Sequence, residues 1–265
     1  MNSLRRDLKG AYTIWYRDVL RFLRDRTRVI TSLAQPLLFL FVFGGGLAPA
    51  MSGLGGGNLS FTEFMFPGIL GMTVLFTSIF SAVSIVWDRE FGFLKEVMVA
   101  PVSRAAVALG KVAGGSTVAM FQALIVLVLA PLIGIKLTLD QLLILVGLML
   151  LLAAVMTSFG ILIAARQRTM EGFQMIMQFL LMPMFFLSGA LFPLRSVPLW
   201  MTWLNRIDPV TYGVDTLRQV ALRASVPAES LRALSLHPIA TDIVIMVAIG
   251  VIFIIPAVWL FSKQD

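Results

Sequence analysis

Six apolar blocks, each long enough to cross a bilayer as a helix, dominate the sequence: about 29–50, 61–87, 105–133, 142–165, 173–192 and 241–261. A hydrocarbon core about 30 Å thick takes about 20 helical residues at about 1.5 Å each. Inside it every backbone N–H and C=O needs a partner within the chain, which leaves helices and closed barrels. The period-two alternation of a transmembrane barrel is absent. Only 13% of the residues are charged and 58% are hydrophobic, against about 25% charged in soluble domains. The predicted fold is all-α and integral to the membrane, with six transmembrane helices.

The chain divides into an amphipathic segment, 1–28, and a six-helix transmembrane domain, 29–265. In the first, Leu4, Leu8, Ala11, Tyr12, Trp15, Val19, Phe22 and Leu23 recur at helical spacing, and Arg5, Arg6, Lys9, Arg17, Arg21, Arg24 and Arg28 fill the remainder. This pattern predicts a cytoplasmic interfacial helix, with Tyr12, Trp15 and Phe22 at headgroup depth and Arg17 and Arg21 toward lipid phosphate or a partner.

Orientation follows from the cations. With six spans both termini share a side. Placing them in the cytoplasm puts fifteen of the twenty-one Lys and Arg inside and six outside, five of those six in one long segment. The positive-inside rule then favours cytoplasmic termini, and the expected location is the bacterial cytoplasmic (inner) membrane, as a multi-pass protein. The Gly-rich stretch from Gly44 to Gly57 reads as an outer turn. Ala48-Pro49-Ala50 has the look of a signal-peptidase site, but a full-length apolar block with a long basic segment before it fits a retained span better. The segment 193–240 is interrupted by Arg195, Pro198, Arg206, Asp208 and Pro209. It predicts a short re-entrant helical segment on the outer side before the last span.

Several chemistries are excluded. There are no cysteines and one histidine, His237, so disulfides, thiolate sites and multi-histidine metal sites are ruled out. His237 reads as a solvent-exposed loop residue. Gly110-Lys111 is followed by Val112 and lacks the glycine spacing of a phosphate loop. No carboxylate sits near the middle of a span; Glu63 and Asp242 fall at the outer starts of the second and last blocks, within reach of headgroups. The chain is read as a non-enzyme, and the energy for any transport must come from outside it.

Two stretches carry more than packing. The first joins the second and third spans on the cytoplasmic side, 88–104: Asp88, Arg89, Glu90, Phe91, Gly92, Phe93, Leu94, Lys95 and Glu96, then Pro101 and Arg104. Charges flank apolar residues that would otherwise face water, as in a segment that docks into a protein groove. Glu90 and Glu96 are expected to pair with basic residues of that partner. The second stretch runs from Ser188-Gly189 through Pro193 to Asp208-Pro209-Val210-Thr211-Tyr212 and Arg218. Its small residues allow close helix approach, and Pro193 is expected to end the fifth helix.

In this order and spacing both stretches resemble the ABC-2 type permease family, the membrane subunits of ATP-binding cassette exporters, and in particular daunorubicin-resistance-type multidrug permeases. The resemblance covers essentially the whole chain. It implies a homodimer or heterodimer of permeases on two separate ATPase subunits, with ATP and Mg²⁺ in those partners and no cofactor in this chain. It further implies that 88–104 transmits ATP-driven closure to the spans. The substrate implied is hydrophobic or amphipathic, a drug-like compound or a lipid or lipid-linked glycan. Met175 and Met182, with Phe185 and Phe186, are the residues proposed for its path, because Met-rich surfaces adapt to varied apolar ligands; packing against a neighbouring helix is the simpler role. A secondary transporter and a non-transporting membrane scaffold are the alternatives. No nucleic-acid partner is expected.

Overall fold

A computed structural model of the protein describes residues 3–46, 59–91, 102–194 and 197–262. The described residues form helices and turns and no strand. The elements are α1 (Ser3–Arg24), α2 (Arg26–Leu38) running into a π-helical turn at Phe39–Gly45, α3 (Phe61–Ser81), α4 (Val83–Glu90), α5 (Arg104–Leu127), α6 (Leu139–Ala164), α7 (Met170–Leu187), α8 (Leu199–Ile207), α9 (Pro209–Ala221), α10 (Ala228–Leu234) and α11 (Ile239–Ser262). Five helices are long and apolar enough to cross a membrane, with α3 and α4 as one span. A sixth candidate is the pair Leu4–Arg24 and Val29–Gly45, bent by 72°.

The core is built on α3. A helix that is apolar on every side belongs in an interior, and Phe64, Phe66, Ile69, Leu70, Leu75 and Ile79 of α3 are all fully buried. α5, α6 and the short α9 pack around it. α11 is the opposite case. It packs on α6 and α9 but leaves Val244, Val251, Ile252 and Ile255 exposed, a face that suits acyl chains.

The segment 193–240 contains α8, α9 and α10, none long enough to span. α9 is buried almost throughout, against α3, α6 and α11. α8 turns Leu199, Trp200, Trp203 and Ile207 outward, the apolar and indole surface of a helix lying in the membrane interface.

α1 departs from the expected arrangement. Trp15 and Phe22 turn toward the rest of the bundle. The Trp15 indole N–H donates to Thr117 Oγ1 at 2.9 Å. Phe22 is buried, edge-on to Phe121 at 6.3 Å. Small residues admit this approach: a Cβ on Gly110 would stand 2.7 Å from the Ala11 carbonyl oxygen. The outward apolar face is instead Leu4, Leu8, Tyr12, Tyr16 and Leu23. Helical periodicity marks a wide apolar arc and cannot say which half meets protein.

Candidate functional site

At one end of the bundle the helix ends are gathered by three consecutive residues of α4. Asp88 is buried and pairs with Arg17 of α1 at 3.0 Å and with Lys111 of α5 at 3.3 Å. Lys111 also reaches Asp18 at 3.2 Å and Ser84 Oγ at 2.8 Å. The Arg89 guanidinium donates to the Gln167 carbonyl and, at 3.1 Å, to the Ala165 carbonyl. It thereby caps the C-terminal end of α6, where orphan carbonyls and the helix dipole favour a cation. The Glu90 carboxylate accepts from the Met170 N–H at 3.1 Å, capping the start of α7. These residues were expected to face a partner. They are engaged within the chain: Asp88 by cations of two neighbouring helices, and Arg89 and Glu90 by backbone groups at helix ends. Arg17, expected toward lipid phosphate, is held in the same way.

Phe91 is the residue of this run that remains presented. It is 65% exposed, edge-on to Trp87 at 5.9 Å, and Trp87 in turn carries the Arg21 guanidinium 4.9 Å from its ring centroid. Gly92, Phe93, Leu94, Glu96 and Pro101 lie outside the described residues. The segment re-enters at Ser103, whose side chain caps α5 and whose N–H donates to Asp7 Oδ1 at 2.8 Å. That contact holds the Asp7 carboxyl below its usual range. Arg104 begins α5.

The second stretch assembles at the other end. Gly189 has φ +75°, a conformation that side chains disfavour. It closes α7 at Leu187, six residues before Pro193; helix termination is therefore the work of the Ser188-Gly189 turn, correcting the role expected of proline. Ser188 Oγ donates to the Phe185 carbonyl at 2.7 Å. The Gly189 carbonyl accepts from Arg218 Nη2 at 2.6 Å, and that fully buried guanidinium lies 4.2 Å from the Phe64 ring centroid. Asp208 caps α9 through the Val210 N–H at 3.0 Å, with Pro209 in its first turn. The Tyr212 hydroxyl donates to the Arg206 carbonyl at 2.6 Å. The stretch is thus a lock that fixes the short helices against α3 and α7.

His237 and Asp242 also differ from expectation. Asp242 is fully buried rather than at the headgroups, and His237 Nδ1 stands 3.1 Å from its carboxylate. The N–H groups of Leu236 and His237 are held by Asp215 at 2.9 and 3.3 Å. Among the described residues, no group of carboxylates and histidine has metal-site geometry.

On α7 the methionines divide. Met175, Met182 and Phe186 are exposed on one face, with Phe179 between them. Phe185 is fully buried, edge-on to Phe39 at 5.5 Å, and Met177 is fully buried too. Phe185 therefore belongs to the core, leaving three of the four residues proposed for the path on an open face. Lys111 and Asp18 are the members of this ion-pair cluster that sequence reasoning passed over. The available signal was a lone cation inside an otherwise apolar block, with an acid on the amphipathic helix to meet it.

The ABC-2 type transporter family model matches residues 10–222, which takes in α1 from Gly10 onward, both stretches and everything between them. The chain belongs to the ABC-2 type transporter family. Its relatives include "Putative transport permease ycf38" of Cyanophora paradoxa, 29% identical over 80% of this chain and 73% of that protein. "Inner membrane transport permease YadH" of Escherichia coli K12 is 24% identical over 78% of this chain and 80% of that protein. "Probable multidrug ABC transporter permease YbhR" of the same strain is 28% identical over 63% of this chain and 45% of its own length. As an ABC-2 permease the protein is a multi-pass membrane protein of a transport family, in agreement with its apolar helices. The matched range closes at Leu222, just past Arg218, so the lock of the second stretch lies inside the family region and α11 beyond it.

Proposed function

We propose that this ABC-2 permease is the membrane subunit of an exporter that moves a hydrophobic or amphipathic compound out across the cytoplasmic membrane. A drug-like molecule, a lipid or a lipid-linked glycan fits that description. The ATPase is a separate subunit that docks on 88–104, and a second copy of the permease completes the assembly. One observation carries the reading: Asp88, Arg89 and Glu90 bind α1, α5, α6 and α7 into a unit at whose edge Phe91 stands exposed. Force applied to that edge reaches five helices, α4 included, without passing through a flexible joint. An exposed aromatic beside a charged rim is the kind of anchor that protein grooves take. The open face of Met175, Met182 and Phe186 supports the apolar character of the substrate.

The test is co-purification with the cognate ATPase subunit, together with transport in vesicles. Phe91→Asp is expected to abolish both while the permease still inserts and purifies. Wild-type complex and transport for Phe91→Asp combined with Phe93→Ala would remove this segment from the mechanism.

A further inference from the structure

A cleft of about 510 Å³ lies where the cytoplasmic ends of α6, α7 and α11 meet. α11 packs closely on α6, and α7 borders the cleft from the other side. Its lining changes with depth on α6 and α11, and Gln167 and Leu260 also stand at the mouth. On α6, Leu162 lies within the last turn and Arg166 just beyond the end at Ala164. On α7, which begins at Met170, Ile176 lies almost two turns in. On α11, Trp259 occupies the last turn and Pro256 lies nearly one turn deeper. Apolar groups are inside, and an indole and a guanidinium are at the edge.

That order is the order of a phospholipid, acyl chain first and phosphate last. Arg166 is exposed and has no acidic partner within ion-pair distance among the described residues. Arg168 lies close enough to act electrostatically on Arg89, so the rim gathers positive charge. Basic pockets between transmembrane helices on the cytoplasmic side attract anionic headgroups. The slot opens beside the aliphatic face of α11, and Trp259 stands where indoles mark the membrane interface. Beside such a lipid-facing helix the natural occupant is lipid rather than a second copy of the chain.

We propose that this cleft binds one anionic phospholipid of the cytoplasmic leaflet, with an acyl chain along Leu162, Ile176 and Pro256 and its phosphate on Arg166. The site rests on the inward placement of the basic helix ends and is independent of the exporter reading. The test uses the purified permease in micelles doped with equal amounts of phosphatidylglycerol and phosphatidylethanolamine, with bound lipid counted by native mass spectrometry. Wild type is expected to retain phosphatidylglycerol preferentially. Arg166→Gln should lower that preference about fivefold, which is what one interfacial cation is worth. Ile176→Trp should fill the slot and reduce both lipids, and Arg223→Gln, in the outer segment, should change neither. Equal retention of the two lipids by wild type, or an unchanged preference in Arg166→Gln, overturns the assignment. So does an Ile176→Trp variant that keeps its lipid and loses only self-association.

Discussion

Lys111 Nζ lies 3.3 Å from Asp88 Oδ2, and this pair joins the third crossing helix to the end of the second. With Asp18 at 3.2 Å and Ser84 at 2.8 Å, all three donors of the ammonium have acceptors. A single buried cation is therefore the junction of α1, α4 and α5.

Replacing Lys111 with Met leaves Asp18 and Asp88 facing each other with Arg17 alone to offset them. Removing one partner of a buried pair costs about 3–5 kcal/mol. The loss here is expected near the lower limit, since Arg17 is 3.0 Å from Asp88. Detergent-phase unfolding of Lys111→Met, Asp88→Asn and the double variant measures it. The double variant should be less damaged than the sum of the singles, with a coupling of about 0.5–3 kcal/mol. Strict additivity would mean that the pair contributes nothing.

The six apolar blocks and their order were legible because membrane insertion is a matter of length and hydropathy, both local properties. The starts of α3, α6 and α7 at Phe61, Leu139 and Met170 fall within about three residues of the expected ones. The roles of Asp88, Arg89 and Glu90 were not legible. Each contacts a residue between 71 and 80 positions away, apart from Asp88 with Lys111 at 23, and a charged loop looks the same whether its partners are internal or external. Trp15 was misplaced for the same reason: its hydrogen bond to Thr117 spans 102 positions. His237 and Asp242 were read singly, although their five-residue spacing across the start of α11 brings them together.

Gly189 is expected to be intolerant of substitution for two separable reasons. Its φ of +75° strains any side chain, and a Cβ would stand 2.6 Å from Leu194 Cγ. Gly189→Ala should destabilise the permease by about 1–3 kcal/mol. Adding Leu194→Ala should recover only the contact share. Full recovery would show that the backbone conformation carries no strain. Arg218→Met should cost about 1.5–3 kcal/mol by leaving the Gly189 carbonyl without its charged donor.

The Asp7–Ser103 contact between α1 and the start of α5 should be lost in acid. The Asp7 carboxyl is depressed below 3.8, first by the Ser103 N–H it accepts and then by the Ser103 side chain. A group depressed on folding contributes stability above its unfolded pKa and loses it as pH falls through the folded one. The contact should therefore be intact at neutral pH and lost progressively below about pH 4. Hydrogen exchange at Ser103 should rise in that window for wild type and be raised at all pH values in Asp7→Asn. An acid response in Asp7→Asn equal to that of wild type would place the sensitive group elsewhere.

Topology supplies the last prediction, and it bears on every functional reading above. The chain has no cysteine, so single cysteines report without background. The six-span count assigns fifteen cations to the side of the termini, and basic segments stay in the cytoplasm. The structure adds a reason for them to stay there together: Arg17, Lys111 and Arg89 are tied to Asp18, Asp88 and the end of α6, which unites α1, α4, α5 and α6 on one side. Ser225 lies in the segment between α9 and α10, on the other side of the span formed by α11. A cysteine at Ser225 should react with a membrane-impermeant maleimide in intact cells. Cysteines at Thr13, on the exposed side of α1, and at Gln264 should react only after the membrane is opened. Labelling of Thr13→Cys or Gln264→Cys in sealed cells would invert the permease, placing the Asp88–Lys111 junction and the Phe91 edge where no cytoplasmic ATPase could reach them.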